Sequence, residues 1–214
     1  MVKSETLKNG LEQIGIVYTS AQLGLLELYI SEIELCNNKY KLVSARGEDL
    51  IIRHILDSLS AIPELNKLTF KTAADVGSGA GLPGIPLAIF YPEVHFSLIE
   101  RSGRRAGFLR NILSLLNIMD HVSIIESGLE EVEDKYDLVL FRAFRNLADF
   151  YELLRNIQSG EGVLFAFKGK IDTIRIEISK LSDNIEVDIL PAFVPFLEEE
   201  RNFLVFTQPS QGIQ

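Results

Sequence analysis

The chain is poor in the residues on which several protein classes depend. Its 214 residues include one cysteine, Cys36, so no disulfide framework can form within the chain. Three scattered histidines and this cysteine do not have the spacing of a metal site. No run approaches the ~20 apolar residues of a membrane span, and residues 1–10 lack the apolar segment of a signal peptide. We therefore expect a cytoplasmic protein that binds neither membrane nor metal.

The charge balance is acidic, with 30 Asp and Glu against 21 Lys and Arg and a formal net charge of −9. This balance argues against a nonspecific nucleic-acid binder, which would carry a basic surplus. Residues 101–175 are different, because basic and acidic side chains are equally numerous there. They contain a cluster of Arg101, Arg104, Arg105 and Arg110. The cluster is either a solvated helix face or a local patch for RNA.

Hydrophobic patterning divides the chain into three parts. Residues 1–65 predict a helical extension, with dense leucine and isoleucine between residues 23 and 35 and a second helix over 48–59. Residues 66–208 alternate short apolar runs with amphipathic segments, which is typical of βαβ units around a parallel sheet. Residues 209–214 remain as a tail. No exposed apolar stripe is evident, so we expect a monomer.

The apolar runs predict the order of strands and helices in the second part. Predicted strands cover residues 72–76, 96–100, 122–126, 136–141 and 162–167, and predicted crossover helices cover 103–116 and 147–157. Two final runs, 185–190 and 202–207, are separated by a segment with two prolines, which indicates an antiparallel pair at the sheet edge. The fold class is therefore α/β and Rossmann-like, with a mostly parallel seven-stranded sheet, an antiparallel edge hairpin and N-terminal helices.

A glycine-rich loop follows the first predicted strand and precedes a helix with prolines near its start. Its sequence is Asp75-Val76-Gly77-Ser78-Gly79-Ala80-Gly81. Glycines let a backbone adopt positive φ and pass close to a ligand. Ligands of doubly wound sheets bind at the carboxyl ends of the strands, which is where this loop lies. The loop therefore predicts a binding site.

Two ligand classes fit the loop. Residues 79–84 match G-x-G-x-x-G, and Glu100 follows about 20 residues later, where a ribose-binding carboxylate belongs. Nicotinamide enzymes and S-adenosylmethionine enzymes share this geometry, since both bind an adenosine. Asp75, two residues before Gly77, favours a class I methyltransferase, because a carboxylate suits the ammonium of methionine and repels a pyrophosphate. A nicotinamide-dependent oxidoreductase is the alternative.

Further motifs extend over residues 20–207. They are His54-Ile55-Leu56-Asp57-Ser58-Leu59, Asp75 through Leu87, Arg104-Arg105, Phe108-Leu109, Arg142-Ala143-Phe144, Lys168-Gly169 and Glu200-Arg201. Together they resemble the bacterial 16S rRNA (guanine(527)-N7)-methyltransferases, the glucose-inhibited division protein B family. The sequence departs from the family pattern in three places: Cys36 replaces a tryptophan, Lys41-Leu42-Val43 replaces Asn-Leu-Thr, and Gly128 replaces an arginine.

The resemblance implies S-adenosyl-L-methionine as cofactor and 16S rRNA or the small ribosomal subunit as partner. Together with the loop argument, it implies cofactor contacts by Asp75, Gly77, Gly79, Gly81, Leu82, Glu100, Leu129, Glu130 and Arg142. Arg142 and Lys168, after the fourth and fifth strands, are the expected catalytic residues. The expected RNA-binding residues are Arg101, Arg104, Arg105, Phe144, Arg145 and Lys168. His54 and Asp57 share a helix face and either pair with each other or lie at the mouth of the site.

The implied chemistry agrees with motifs that the sequence lacks. Guanine N7 carries a lone pair and no proton, so its methylation needs orientation rather than a general base. The Asn-Pro-Pro-Tyr motif of amine methyltransferases is absent after the fourth strand, and Cys36 lacks the Pro-Cys context of a covalent mechanism. The target base must leave its stack, and Phe144 either stacks on it or belongs to the core. A non-catalytic ribosome-binding factor is the remaining alternative.

Overall fold

The computed structural model describes residues 2–142, 147–182 and 185–207. The first five helices precede any strand: α1 Val2–Ile14, α2 Ser20–Tyr40, α3 Glu48–Leu50, α4 Asp57–Leu59 and α5 Ile62–Leu65. A π-helical segment, Ile51–Leu56, joins α3 to α4, so the helix predicted over 48–59 is continuous but wider in its middle. Four helices follow within the sheet domain: α6 Gly84–Phe90, α7 Gly103–Leu116, α8 Leu147–Ile157 and α9 Ile171–Ile178.

Local signals account for the limits of the long helix α2. Thr19 is its N-cap, and a capping box forms because the Thr19 hydroxyl accepts from the backbone N–H of Gln22 while the Gln22 side chain accepts from the Thr19 N–H. At the other end Lys41 adopts a left-handed conformation with φ 51°. These two caps satisfy backbone groups that a helix leaves free at its ends.

Seven strands form one sheet in the order β3-β2-β1-β4-β5-β7-β6. The strands are β1 Thr72–Val76, β2 His95–Ile99, β3 Val122–Ile125, β4 Tyr136–Arg142, β5 Gln158–Lys168, β6 Val187–Ala192 and β7 Arg201–Phe206. Pairing from β3 through β5 is parallel, and β7 runs antiparallel to both of its neighbours. The α/β fold with a parallel sheet and an antiparallel pair at one end is therefore confirmed.

The antiparallel pair is arranged so that the later strand is the inner one. β7 inserts between β5 and β6, which leaves β6 as the outermost strand. Pro191 lies in β6, where its missing N–H costs no internal ladder bond because the strand is at an edge. The proline in the predicted gap is thus part of the strand, which is displaced by two residues from the predicted run.

Helices cover both faces of the sheet. The apolar residues of α1, α2 and the π-helical segment share one core cluster with α6, α7 and one face of the sheet. Helices α8 and α9 pack on the other face. The N-terminal helices are thus continuous with the main core, and the domain division at residue 65 stays a prediction. Among the described residues, no helix has the length and apolarity needed to cross a membrane.

Candidate active site

The glycine loop turns sharply at the carboxyl end of β1. Gly77, Gly79 and Gly81 have φ angles of 71°, 60° and 92°, values that residues with a Cβ atom rarely adopt. The N–H groups of Gly77 and Ser78 donate to the carbonyl of Ile99 at 2.9 and 3.1 Å, which ties the loop to the end of β2. The loop conformation therefore depends on glycine at three alternate positions.

Asp75 lies beneath this loop and is 1% exposed. Its Oδ2 accepts from the backbone N–H of Gly84 at 2.9 Å, which links β1 to the start of α6. Within the described residues its Oδ1 has no hydrogen-bond partner. Burial raises the pKa of Asp75 from 3.8 to about 7, against the opposing effects of the Gly84 N–H and Arg142. The loop thus packs over a buried carboxyl group whose Oδ1 accepts no hydrogen bond from the described residues.

Glu100 closes the other side of the loop. It follows β2 and is 4% exposed. Its Oε2 accepts from the N–H of Gly79 at 2.9 Å, and its Oε1 accepts from the N–H of Ser102 at 2.8 Å. The Arg105 guanidinium lies 3.8 Å from Oε2. The predicted ribose-binding carboxylate is therefore held rigidly beside the glycine loop.

Four of the nine predicted cofactor residues, Gly77, Glu100, Leu129 and Glu130, line one cleft of about 210 Å³ beside this loop. We call it the adenosine cleft, after the ligand that the sequence predicts for it. The lining residues are Val76, Gly77, Ile99, Glu100, Arg101, Arg105, Ser127, Gly128, Leu129, Glu130 and Phe150. Leu129 is buried, and Glu130 lies 3.6 Å from Arg101. Gly128, where the family resemblance predicts an arginine, is covered by the Glu130 carboxyl group.

A second cleft, of about 340 Å³, lies farther along the same edge of the sheet. Its lining residues are Arg53, His54, Asp57, Arg142, Phe167, Lys168, Gly169, Arg201, Asn202 and Phe203. Four of these side chains are cationic and one is acidic, so we call it the cationic cleft. The predicted catalytic residues Arg142 and Lys168 both lie in it, at the last positions of β4 and β5.

Asp57 joins three elements inside the cationic cleft. Its Oδ2 lies 3.4 Å from Nη1 of Arg142, and its Oδ1 accepts from Nε of Arg201 at 3.1 Å. Burial raises the pKa of Asp57, against the opposing effect of both arginines. The N-terminal helical part therefore contributes directly to the site, and Asp57 pairs with these arginines rather than with His54.

His54 lies in the π-helical segment, a distortion that is frequent at functional sites. Its Nδ1 is buried and has no hydrogen-bond partner within the described residues. Burial lowers the pKa of His54 from 6.5 to about 4, and the nearby positive charges of Arg142, Arg53 and Arg201 act in the same direction. The imidazole is therefore neutral at pH 7 and adds no charge to the cleft.

Lys168 is held by a carboxylate from the following helix. Its Nζ contacts Oε2 of Glu177 in α9, and both side chains are largely buried. The amide of Asn202, opposite Lys168 in the β5–β7 register, donates to the carbonyl of Gly169 at 2.7 Å. The lysine is thus anchored at the cleft wall by an ion pair that sequence reasoning did not identify.

Tyr29, a buried residue of α2, supports the glycine loop from the N-terminal part. Its hydroxyl donates to the carbonyl of Ala80 at 2.8 Å. Burial raises the pKa of Tyr29, so the hydroxyl remains a donor. Sequence reasoning missed this residue because no local signal relates it to a loop 51 positions away. For Arg201, the signal in the sequence is the Glu200-Arg201 motif.

Other predicted residues lie outside the two clefts. Gly81 and Leu82 pack inward: a Cβ on Gly81 would meet the Ile85 side chain at 2.4 Å, and Leu82 is buried in the core. Arg104 is exposed on α7. Phe144 and Arg145 lie outside the described residues, and their roles stay predictions.

Arg110 contacts Glu126 at 2.8 Å on the surface. In residues 2–142, 147–182 and 185–207, no group of three or more histidine, cysteine or carboxylate side chains is arranged to hold a metal ion.

Solved structures share this fold. A putative O-methyltransferase from Klebsiella pneumoniae superposes with a TM-score of 0.64 over 98% of this chain and all of its own, at 12% identity. An O-methyltransferase from Bacillus cereus in complex with SAH gives 0.59 over 92% and 95% of the two chains, at 10% identity. At these identities the likeness shows the fold, which is that of class I methyltransferases.

Relatives in sequence are closer. The ribosomal RNA small subunit methyltransferase G of Salmonella arizonae is 36% identical over 199 residues, covering 91% of this chain and 93% of its own. That of Borrelia turicatae is 32% identical over 197 residues, covering 91% and 95%. The sequence model of the GidB family, rRNA small subunit methyltransferase G, matches residues 22–204. The chain therefore belongs to the rRNA small subunit methyltransferase G family and is a methyltransferase, not a nicotinamide-dependent oxidoreductase.

Proposed function

We propose that this enzyme transfers a methyl group from S-adenosylmethionine to N7 of a guanine in 16S rRNA, guanine 527 by family resemblance. The observation that carries the proposal is the position of the two clefts side by side. Val76 of the adenosine cleft is the register partner of Phe141, and the next residue, Arg142, lines the cationic cleft. A cofactor in one cleft and an RNA segment in the other would meet at β1 and β4.

The adenosine cleft has the groups that this cofactor needs. Val76, Ile99 and Leu129 supply apolar surface for an adenine. Glu100 already accepts two backbone N–H groups, but each carboxylate oxygen has a second lone pair that can accept a ribose hydroxyl. Oδ1 of Asp75 accepts no hydrogen bond from the residues that the structure describes, which supports a role for this buried carboxyl near the ammonium end. S-adenosylmethionine, when bound, supplies a methyl group activated by a sulfonium.

The protein's own contribution is alignment. Guanine N7 offers a lone pair and releases no proton on methylation, so none of the cleft residues must act as a base. Arg142, oriented by Asp57 at the end of β4, is suited to bind the carboxylate of the cofactor's methionine part. Lys168 has its charge balanced by Glu177, but an ammonium group has three N–H donors and can bond an RNA phosphate as well. Holding both reactants in line converts binding energy into rate.

The cationic cleft also explains how an acidic protein can act on RNA. The net charge of −9 is the total for the whole chain, whereas the cleft brings four cationic side chains to the reacting edge, two of which, Arg142 and Arg201, share one carboxylate. Local positive potential attracts a phosphate backbone even when the total charge is negative. We expect the enzyme to act in the cytoplasm, on a base that leaves its stack within 16S rRNA or the small subunit.

A transfer experiment tests the proposal. Small ribosomal subunits from a strain that lacks the modification are incubated with the protein and tritiated S-adenosylmethionine. Label in 16S rRNA is then mapped by strand cleavage specific for N7-methylguanine. We expect label at one guanine. Cofactor binding without transfer would instead favour a non-catalytic ribosome-binding factor, and label at another atom would refute the N7 assignment.

A pair of glycine variants tests the cofactor cleft. Gly77→Asp places a side chain at a residue with φ 71° that lines the adenosine cleft, so we expect cofactor binding to be lost. Gly24→Asp makes the same change at an exposed position of α2 where a Cβ would meet nothing within 4 Å. This control should retain cofactor affinity. Equal affinity for both variants would contradict the assignment of the glycine loop.

A further inference from the structure

The cations of the cationic cleft differ in how they are neutralised. Arg53 lies 2.7 Å from Glu199 and 3.5 Å from Asp49, so it has carboxylates of its own. Lys168 contacts Glu177. Neither therefore leaves an uncompensated positive charge within the part of the chain that the structure describes.

Arg142 and Arg201 share the single carboxylate of Asp57. Two guanidinium groups against one carboxylate leave a surplus of about one positive charge, since arginine is always protonated in proteins. His54, neutral because burial and the arginines lower its pKa to about 4, does not change this balance. The group formed by Arg142, Asp57 and Arg201 therefore attracts anions.

The geometry of Arg201 is set by its neighbours. Its Nε donates to Asp57 at 3.1 Å, and its Nη1 donates to the backbone carbonyl of Glu200 at 3.0 Å. The Glu200 carboxylate is turned away from it toward the N–H of Ile171 and the Asn202 amide. Among the described residues, Nη2 of Arg201 has no hydrogen-bond partner. The Arg201 side chain is only 25% exposed, so its guanidinium group, including Nη2, is held in the wall of the cleft.

The sheet order separates Arg201 from the cofactor. It begins β7, and β4 and β5 lie between β7 and the glycine loop strand β1. Three strand spacings amount to roughly 14 Å. Arg142, on the strand next to β1, is the member of the pair within reach of a cofactor. Arg201 therefore lies in the part of the cationic cleft that is farther from the cofactor, where the RNA would bind.

We propose that Arg201 binds one phosphodiester of the RNA substrate and that Asp57 is the positioning residue that aligns Arg201 with Arg142. This inference rests on the proposed function. A phosphodiester carries one negative charge, and a guanidinium matches its oxygens in a planar geometry. The N-terminal helical part thus takes part in substrate recognition through Asp57.

The test measures RNA and cofactor affinity separately in Arg201→Gln. Binding of unmodified small subunits is followed against salt concentration with S-adenosylhomocysteine present, and S-adenosylmethionine affinity is measured without RNA. We expect subunit affinity to fall about tenfold to a hundredfold. The slope of log affinity against log salt should decrease in magnitude by about 0.7, the loss of one phosphate contact. Cofactor affinity should stay within about twofold of wild type, which also reports a folded site.

Two more variants make the result specific. Arg155→Gln removes the same charge near the start of β5, at the opposite edge of the sheet, and should leave subunit binding and its salt slope unchanged. Arg201→Lys keeps the charge but loses the planar geometry, so it should weaken binding while retaining the salt slope.

Three outcomes would overturn the inference. In the first, Arg201→Gln binds subunits with wild-type affinity. In the second, it loses affinity with no change in salt slope. In the third, it weakens S-adenosylmethionine binding instead, which would assign the pair to the cofactor carboxylate. If wild-type protein methylates no guanine N7, the proposed function fails, and that failure is seen before any variant is compared.

Discussion

The ionisation of Asp75 should make the stability of the protein depend on pH in a way that one substitution removes. Asp75→Asn keeps the shape of the side chain and an oxygen that can accept from the Gly84 N–H. It removes the charge, whose burial raises the pKa of Asp75 from 3.8 to about 7. The two proteins therefore differ mainly in a group that is 1% exposed and titrates only in the wild type.

The sign of the effect follows from proton binding. Below about pH 4 Asp75 is protonated in both the folded and the unfolded wild-type chain, so ionisation contributes nothing. Between pH 4 and 7 the folded state keeps a proton that the unfolded state has released, so the free energy of unfolding falls as pH rises. Above about pH 7 the loss is complete. The difference between pKa values of 3.8 and about 7 corresponds to about 4 kcal/mol.

Urea unfolding of both proteins across pH 4 to 8 measures this difference. We expect the free energy of unfolding of Asp75→Asn relative to wild type to rise by several kcal/mol over this range. His54 is present in both proteins, so its titration cancels. The non-ionisable change Gly24→Ala, made in open space on α2, should give a pH-independent gain of about 0.5–1 kcal/mol. A pH-independent difference for Asp75→Asn as well would refute the argument that burial keeps this carboxyl protonated.

Three further predictions concern the supports of the site. Tyr29→Phe leaves the Ala80 carbonyl without its donor, so the free energy of unfolding should fall by about 1–3 kcal/mol and cofactor affinity should weaken. A cofactor affinity equal to that of the wild type in a calorimetric titration would contradict this. Gly81→Ala forces a Cβ to within 2.4 Å of Ile85 at a φ of 92°, and should lower the thermal midpoint by several degrees; a midpoint equal to wild type would show that the loop adapts. Between pH 6.5 and about 4 the unfolded chain protonates His54 while the folded protein keeps it neutral, so the free energy of unfolding falls as pH falls. This acid destabilisation should be smaller in His54→Gln, and identical acid unfolding curves would argue against it.

Much of the fold could be predicted from the sequence because its signals are local. β1, α7 and α8 match their predicted bounds, since short apolar runs and amphipathic periods depend on neighbouring residues. The glycine loop was equally visible, because three positive φ angles at alternate positions require glycine. The α9 helix was not predicted. This helix has only eight residues, and of these only Ile174 is buried, so its apolar pattern is weak.

The candidate site was predictable in part. Strand ends at one edge of a parallel sheet must meet, so Gly77, Glu100, Arg142 and Lys168 could be assigned to that edge from the pattern alone. Leu82 adjoins the loop in sequence, and the turn directs its side chain into the core, which the pattern alone does not indicate. Its contact with the cofactor stays a prediction.

The tertiary structure alone decided which charges meet. Asp57 contacts Arg142 and Arg201, which lie 85 and 144 positions away in the chain. No local pattern encodes such a pairing, because it depends on the N-terminal helices packing onto the sheet and on β7 inserting between β5 and β6. The sequence by itself determined most of the elements, the glycine loop and the family. Packing decided that a carboxylate from the helical part would contact two arginines at the edge of the sheet where β4 ends and β7 begins, since burial makes an unpaired charge costly wherever the chain places it.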